Sequence, residues 1–460
     1  MRRLQALVAV LVLVLLVVGA AYADREFEPS RGPGADGPAS SGAWFCPTGG
    51  GPEGWEVFLQ VANPGDRPAT LHVRSLGGGR PQPPETFEVE PGAFLRIPVE
   101  GRGRGRTHMV EWFGPWVGVG WLAHAGGGEG GVAAEPCAPA AGERWLLPDG
   151  TTETEGDHDF VVVMNPFARE AVFSLTLLSE RREPVLQGAL TDVVLRPFRS
   201  VAFELNDVVL GERTVATLLE VSVGRVAAST LGVSGSGGIR SALGYLGSAG
   251  GDLVFPGGED GGRSELPVMS EADGDGSRVT LSGELLLTGE TPPQEVPGLA
   301  DASMPDGSAR TFPATTTEVS SLRLDAAGGS VATVRRTFGT VSDQGAVTGA
   351  LPAASWLVMP AVAGSPANPR MVLANPGPDP AAVTLTYLSP GPPNELTITV
   401  PPDATVQVPQ AFLLVDPEAG VWARAGTGTF VIASASYSLG PEGRATYAVS
   451  LGIPVPERAA

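Results

Sequence analysis

Short runs of alternating apolar and polar residues recur along this chain. Trp55, Val57, Leu59 and Val61 alternate with Glu56, Phe58 and Gln60, and beyond the turn at 65–68, Leu71 and Val73 alternate with His72 and Arg74. Phe173, Leu175 and Leu177 repeat the pattern, followed after Pro197 by Val201, Phe203 and Leu205. Val383, Leu385 and Tyr387 alternate with Thr384 and Thr386. Leu396, Ile398 and Val400 then pair with Val406 and Val408 across Pro401-Pro402-Asp403. Period-two runs of about 5 to 8 residues, bounded by Gly, Pro, Asn and Asp, predict half-buried antiparallel strands. Past residue 24 only single helical turns are expected, near 206–211 and 409–414. Strand-dense sequence without helices predicts an all-β antiparallel sandwich.

The pattern is organised as a fourfold repeat. Trp44-Phe45-Cys46-Pro47, Trp145-Leu146-Leu147-Pro148, Leu253-Val254-Phe255-Pro256 and Trp356-Leu357-Val358-Met359-Pro360 open successive units. Asn63-Pro64, Asn165-Pro166 and Asn375-Pro376 follow 15 to 17 residues after the opening Pro, and Ser270-Glu271 stands there in the third unit. A repeat of about 100 residues exceeds one supersecondary element, so each unit reads as a small domain. The expected organisation is four tandem β-sandwich (immunoglobulin-like) modules at 44–137, 145–245, 252–352 and 356–452. A closed, propeller-like arrangement of the four is the alternative. The Asn-Pro pairs read as turn initiators, and the opening tryptophans as core plugs between sheets. The third unit lacks both landmarks, and its polar insertion 289–317 reads as an exposed loop with little fixed structure. Residues 234–251 read as a flexible hinge.

The N-terminus bears on compartment. Arg2 and Arg3 precede an apolar stretch, 6–18, and Ala21-Tyr22-Ala23 supplies a small-x-small cleavage pattern. Residues 1–23 therefore read as an export signal or, if uncut, as an anchor spanning the membrane through residues 6–23. A Pro/Gly/Ser-rich stalk, 24–43, follows. The protein is then expected to be extracytoplasmic, either membrane-anchored or secreted after cleavage near Ala23. The two cysteines, Cys46 and Cys137, bracket the first module and read as a disulfide in an oxidising compartment. Closing so long a loop stabilises the fold by about 4–5 kcal/mol in the chain-entropy model.

Composition narrows the functional classes. The net charge of −20 argues against a nucleic-acid partner. The chain contains no lysine, so all thirty basic residues are arginine. This excludes a P-loop lysine, a Schiff-base lysine and a Ser–Lys dyad. Glu271, Asp273, Asp275 and Gly276 resemble the first half of a calcium loop, but Ser282 occupies the position where a bidentate Glu is required. The acidic stretch 149–159, with His158, reads as a loop before a strand. His72, His108, His124 and His158 share no metal-ligand spacing. No catalytic, cofactor or metal residue is assigned, and no cofactor is expected.

One surface stands out. Gly101-Arg102-Gly103-Arg104-Gly105-Arg106 leads into a strand region with Trp112, Trp116 and Trp121, and five of the eight tryptophans lie in this module. Arg102, Arg104, Arg106, Trp112 and Trp116 form a candidate ligand surface for sugars or anionic wall polymers, through stacking and bidentate contacts. The competing reading makes the arginines a hairpin tip and the tryptophans core.

Taken together, Trp145–Pro148, Asn165-Pro166, Asn375-Pro376, Val383–Tyr387 and the late strands 221–228 and 430–437 resemble a family of repeated exported domains. Its actinobacterial members are membrane-anchored or secreted proteins of unknown function. The resemblance implies an extracytoplasmic β protein near the cell envelope and transfers no catalytic residues. The expected function is a non-enzymatic, envelope-associated structural or binding protein that presents its modules to cell-wall glycans or envelope proteins. A hydrolase acting on envelope polysaccharide is the alternative.

Overall fold

The computed structural model describes residues 41–79, 81–126, 129–248, 250–257, 263–274, 277–289, 291–315, 318–338, 344–362, 367–389, 394–439 and 445–456. The expected export segment, 1–23, and all of the expected stalk up to residue 40 lie outside these residues. So do Asp275 and Gly276 of the calcium-like run. Among the described residues no helix is long and apolar enough to cross a membrane.

The alternating runs form eight antiparallel sheets, two from each quarter of the chain. In the first quarter one sheet holds Ser41–Cys46, Thr107–Phe113, Ala69–Leu76 and Glu85–Val89, in that spatial order. The other holds Ala93–Val99, Glu56–Asn63, Gly118–Ala125 and Gly131–Pro136. Counted along the quarter, the strand orders are 1-6-3-4 and 5-2-7-8. Both orders recur in the second and fourth quarters, and in the third when its two short strands Gln294–Glu295 and Ala302–Pro305, which both pair with Arg278–Leu287, are counted together as the fourth. The second and fourth quarters add a short ninth strand beside their first, Tyr245–Leu246 and Ile453–Pro454. The first quarter closes instead by hydrogen bonds between Phe45 and Ala138, next to the Cys46–Cys137 disulfide. The third closes by bonds between Val254 and Ala350. Single helical turns stand at Leu205–Asp207 and Gln410–Leu413, where helical turns are expected.

Two repeated residues explain how each pair of sheets is held. The indole Nε1 of Trp44, Trp145 and Trp356 donates to the carbonyls of Val117, Val226 and Phe430, each at 2.8 Å. Each acceptor immediately precedes a seventh strand, so a first-sheet tryptophan pins the second sheet while filling the core. The Asn residues work from the other side. Asn165 Oδ1 accepts from Phe167 N (3.1 Å), while Nδ2 donates to the carbonyls of Arg169, Leu195 and Arg196 at 2.7, 3.0 and 3.2 Å. Asn63 and Asn375 repeat this around Gly65 and Gly377, reaching Val89 and Val400. One buried side chain thus completes the turn and ties the second strand to the end of the fourth, in the opposite sheet. In the third quarter Ser270 Oγ donates to Pro305 O at 2.6 Å, a shorter version of the same tie.

The eighth strands are Gly131–Pro136, Ile239–Leu243, Gln344–Thr348 and Ala445–Leu451. They run against one another in cyclic order: first with second, second with third, third with fourth, and fourth with first. Their small residues permit this approach. A Cβ on Gly345 would come within 2.9 Å of the Tyr447 ring, so only glycine fits there. Each junction adds its own contacts. Gly238 N donates to Glu129 O (2.9 Å) between the first two quarters, and Tyr245 Oη to Thr333 O (2.6 Å) between the second and third. Thr405 Oγ1 donates to Leu286 O (2.6 Å) between the third and fourth, and Gln60 Nε2 to Pro360 O (2.8 Å) between the fourth and first.

Two expectations change here. Residues 234–251 are no flexible hinge, because they hold the buried strand Ile239–Leu243. Glycine and serine suit close packing there as well as they would suit a linker. The polar insertion 289–317 is not a loose loop either. Gln294–Glu295 and Ala302–Pro305 pair with Arg278–Leu287, and Ala309–Pro313 pairs with Arg263–Ala272. Val296, Leu299, Met304 and Phe312 are buried apolar anchors spread thinly through polar sequence.

Replacing Asn165 by Ala strands the Leu195 and Arg196 carbonyls and is expected to lower stability by about 2–3 kcal/mol in denaturant titrations. Asn165→Asp should cost at least as much, since a carboxylate cannot donate. A fully stable Asp variant would contradict the assigned role.

Candidate functional site

Charge is buried where the second and third quarters meet. Arg240, on the eighth strand of the second quarter, is 2% exposed as a side chain and lies between Asp149 and Asp159, themselves 0% and 2% exposed. Its Nε donates to Asp149 Oδ2 at 3.1 Å, Nη2 to Asp159 Oδ2 at 2.6 Å, and Nη1 to Gln344 Oε1 at 2.9 Å. Arg336, from the third quarter, donates to Asp149 Oδ1 through Nη2 at 2.6 Å. Burial penalises the Asp149 carboxylate, but Arg240 and Arg336 more than offset this and hold its pKa below the usual range. Burial wins at Asp159 despite Arg240, and its pKa is raised. Two carboxylates with pKa values pushed apart resemble an acid–base pair. These two face a shared guanidinium rather than solvent, so no substrate can reach them.

The network floors a polar cleft of about 560 Å³. Its lining includes Glu153, Glu155 and Asp157 from the acidic stretch, with Ser234 and Ser236. Arg213, whose neighbour Glu212 is hydrogen-bonded to Thr152 of that stretch, lines the same side, and Arg263, Glu265, Phe338 and Gln344 come from the third quarter. Arg213 Nη2 lies 2.6 Å from Glu265 Oε1, and Arg263 Nε lies 3.8 Å from the same atom.

The candidate surface of the first quarter is not brought together. Trp112 is 4% exposed and part of the core, and Trp116 stands edge-on to Trp44 at 6.1 Å. Arg104 is held by Glu129 and lies over the rings of Trp55 (5.4 Å) and Phe160 (5.1 Å), so it belongs to the junction with the second quarter. Arg106 is half-buried beside Gly77, and Arg102 alone projects into solvent. Glu271, from the calcium-like run, is ion-paired to Arg144.

A second hollow, of about 290 Å³, is lined by Ser75, Glu100 and Arg106 over apolar Phe87 and Ile97. Ser75 Oγ lies 3.1 Å from His108 Nδ1, the contact a nucleophile makes with its base. His108 is fully buried, and burial with the nearby Arg106 drives its pKa down to about 3. An imidazole so weakly basic cannot take the serine proton near neutrality.

Glu135 is the other buried group that sequence reading missed. It sits on Gly131–Pro136 against the second quarter and accepts from Leu243 N. Ser241 Oγ lies 3.1 Å from Glu135 Oε2 and 2.8 Å from Thr230 O. The Ser241 hydroxyl is the donor in both contacts. Burial, reinforced by Asp149, raises the Glu135 pKa to about 8 against opposing bonds from Leu243 and Ser241. The only sequence signal for Glu135, Arg240 and Arg336 is a charge interrupting an otherwise apolar or small-residue strand.

The fold and site thus define an all-β protein of repeated two-sheet units with charge buried at a junction. Residues 114–313 match the model of a family of unknown function, DUF5719. That span carries Glu135, Asp149, Asp159, Arg240 and Glu265, but not Arg336 or Gln344. A solved structure, that of Thermotoga maritima 1070, is 20% identical and covers 23% of this chain and 94% of its own, with a TM-score of 0.21. No curated protein matches the chain.

The Glu135 geometry predicts a pH dependence. The folded pKa lies above the unfolded value, so the folded state holds the extra proton. Stability is complete below about pH 4.5 and falls by up to about 1.4 kcal/mol per pH unit as pH rises through 8. Glu135→Gln keeps an acceptor for Leu243 N without ionising. Its thermal midpoint should match the parent at pH 5 and exceed it at pH 9. An offset that does not change with pH would contradict the protonated carboxyl.

Proposed function

We propose that this chain is a non-enzymatic, extracytoplasmic, envelope-associated protein that presents repeated β modules to wall glycans or partner proteins. In this reading the four quarters are sandwich modules closed on one another in the propeller-like manner, and residues 1–23 direct export or anchor the chain. One observation carries it. The deeply buried carboxylates Asp149, Asp159 and Glu265 are engaged by arginines, and burial raises the Glu135 pKa to about 8. Such groups build a rigid scaffold, whereas glycoside hydrolysis needs two carboxyl groups open to a sugar. The polysaccharide hydrolase remains the competing reading, because the cleft between the second and third quarters also exposes Glu153 and Glu155.

Incubation of the purified protein with isolated cell-wall polysaccharide separates the two. Binding predicts co-sedimentation with no new reducing ends. Release of reducing ends above the blank would support the hydrolase, and failure to sediment would remove the glycan part of the proposal.

A further inference from the structure

The four quarters share one framework, and the first departs from it in a single layer. Ser75, on the third strand, pairs with His108 on the sixth, and His108 pairs in turn with Cys46 on the first. The same register sets Leu177 beside Thr217, Leu285 beside Leu322 and Tyr387 beside Val421. Leu177, Leu285 and Tyr387 are all buried. Serine puts a small polar group where the other three quarters put a large apolar one. The connection from the fifth strand to the sixth differs as well. In the second quarter it forms the helical turn Leu205–Asp207 and buries Leu205 and Val209. In the fourth, the turn Gln410–Leu413 buries Phe412 and Leu413, and Phe412 stacks on Tyr387 at 4.6 Å. In the first, residues 100–106 are Glu, Gly and Arg alone, so the connection has no apolar side chain to turn inward.

The hollow of about 290 Å³ opens at this place, lined by Ser75 and by both ends of the connection, Val99, Glu100 and Arg106. Phe87 and Val99 are only half-buried there, and their uncovered carbon forgoes dispersion contacts. The buried Nε of Arg106 has no hydrogen-bond partner. The disulfide compensates within the same layer. Cys46 lies opposite His108 in the first sheet, and Cys137 is hydrogen-bonded to Val119 of the second, so a covalent tie joins the sheets where apolar packing is missing.

The rim selects what can enter. Glu85 and Glu100 stand at the mouth with Arg106, so a bare anion and a bare cation each meet an opposing charge. A neutral peptide group meets both, with its carbonyl accepting from a guanidinium and its N–H donating to a carboxylate. In the second and fourth quarters the filler is itself a peptide side chain.

We propose that the hollow of the first quarter receives an aromatic side chain from a partner polypeptide, with a main-chain carbonyl of that segment on Arg106. The guest takes the place that Phe412 takes in the fourth quarter. The inference rests on the partner-protein side of the proposed function and names its contact surface. Its test uses no polysaccharide, so its failure and the failure of glycan binding are read separately.

Ligand-observed NMR titration of the full chain tests it, with the capped peptide acetyl-Ala-Phe-Ala-amide as the probe and acetyl-Ala-Ala-Ala-amide as its control. The phenylalanine peptide should bind, and the alanine peptide at least about tenfold more weakly, the difference that burying one aromatic ring makes. Ser75→Leu supplies the missing filler from within the chain and should abolish binding. Arg106→Ala should weaken binding about tenfold with the thermal midpoint within a few degrees of the parent, and it keeps the test decisive if Ser75→Leu does not fold. Equal binding of the two peptides, no binding of the phenylalanine peptide, or unchanged binding by either folded variant would each overturn the proposal.

Discussion

The seventh and eighth strands of each quarter are covered on both faces. Ala227–Val233 is buried at every residue, and Gly131–Pro136 and Ile239–Leu243 at every residue but the last. A strand with one face on its own core and the other in solvent would alternate. Here the second face lies against the neighbouring quarter, and this constraint shapes the rest. It demands small residues at the closest approaches, such as Gly345 beneath Tyr447. It also demands that buried charge be ion-paired, hydrogen-bonded as Arg335 is to Ser320, or neutralised by a proton, because an unsatisfied buried ion costs several kcal/mol. Arg240 between Asp149 and Asp159 meets that demand with partners, and at Glu135 burial favours the neutral carboxyl by raising its pKa to about 8.

The same constraint shapes the cleft between the second and third quarters. Sheet faces leave little room where quarters pack directly. The acidic loop before the second strand of the second quarter, with Arg213 beside it, and Arg263 of the facing quarter leave an opening instead. The buried network beneath fixes Arg336 and Gln344 as a rigid polar floor.

Much of the fold was legible in the sequence. Residues with one face in a core announce themselves by period two, as Val57, Leu59 and Val61 do. Asn165-Pro166 and its counterparts announced turns because their chemistry is local. The Cys46–Cys137 disulfide was legible because two cysteines allow one pairing. What sequence could not show was the second face. Gln60 alternates as a solvent residue yet donates to Pro360 across a junction, 300 positions away. Residues 234–251 have linker composition, and only packing distinguishes a linker from a tight strand. Trp112 and the arginine loop sit together in sequence, but strand direction turns the ring into the core and Arg104 into a junction. The cleft was half visible, in the acidic stretch 149–159, while its arginines came from distant strands.

The central claim is that the quarters stabilise one another through those shared faces. Differential scanning calorimetry compares the measured unfolding enthalpy with the van't Hoff enthalpy of the same transition. The account predicts one transition for residues 41–460 with a ratio near one, because no quarter can expose its seventh and eighth strands alone. Several separate transitions, or a ratio near four, would mean that the quarters unfold independently and would contradict it.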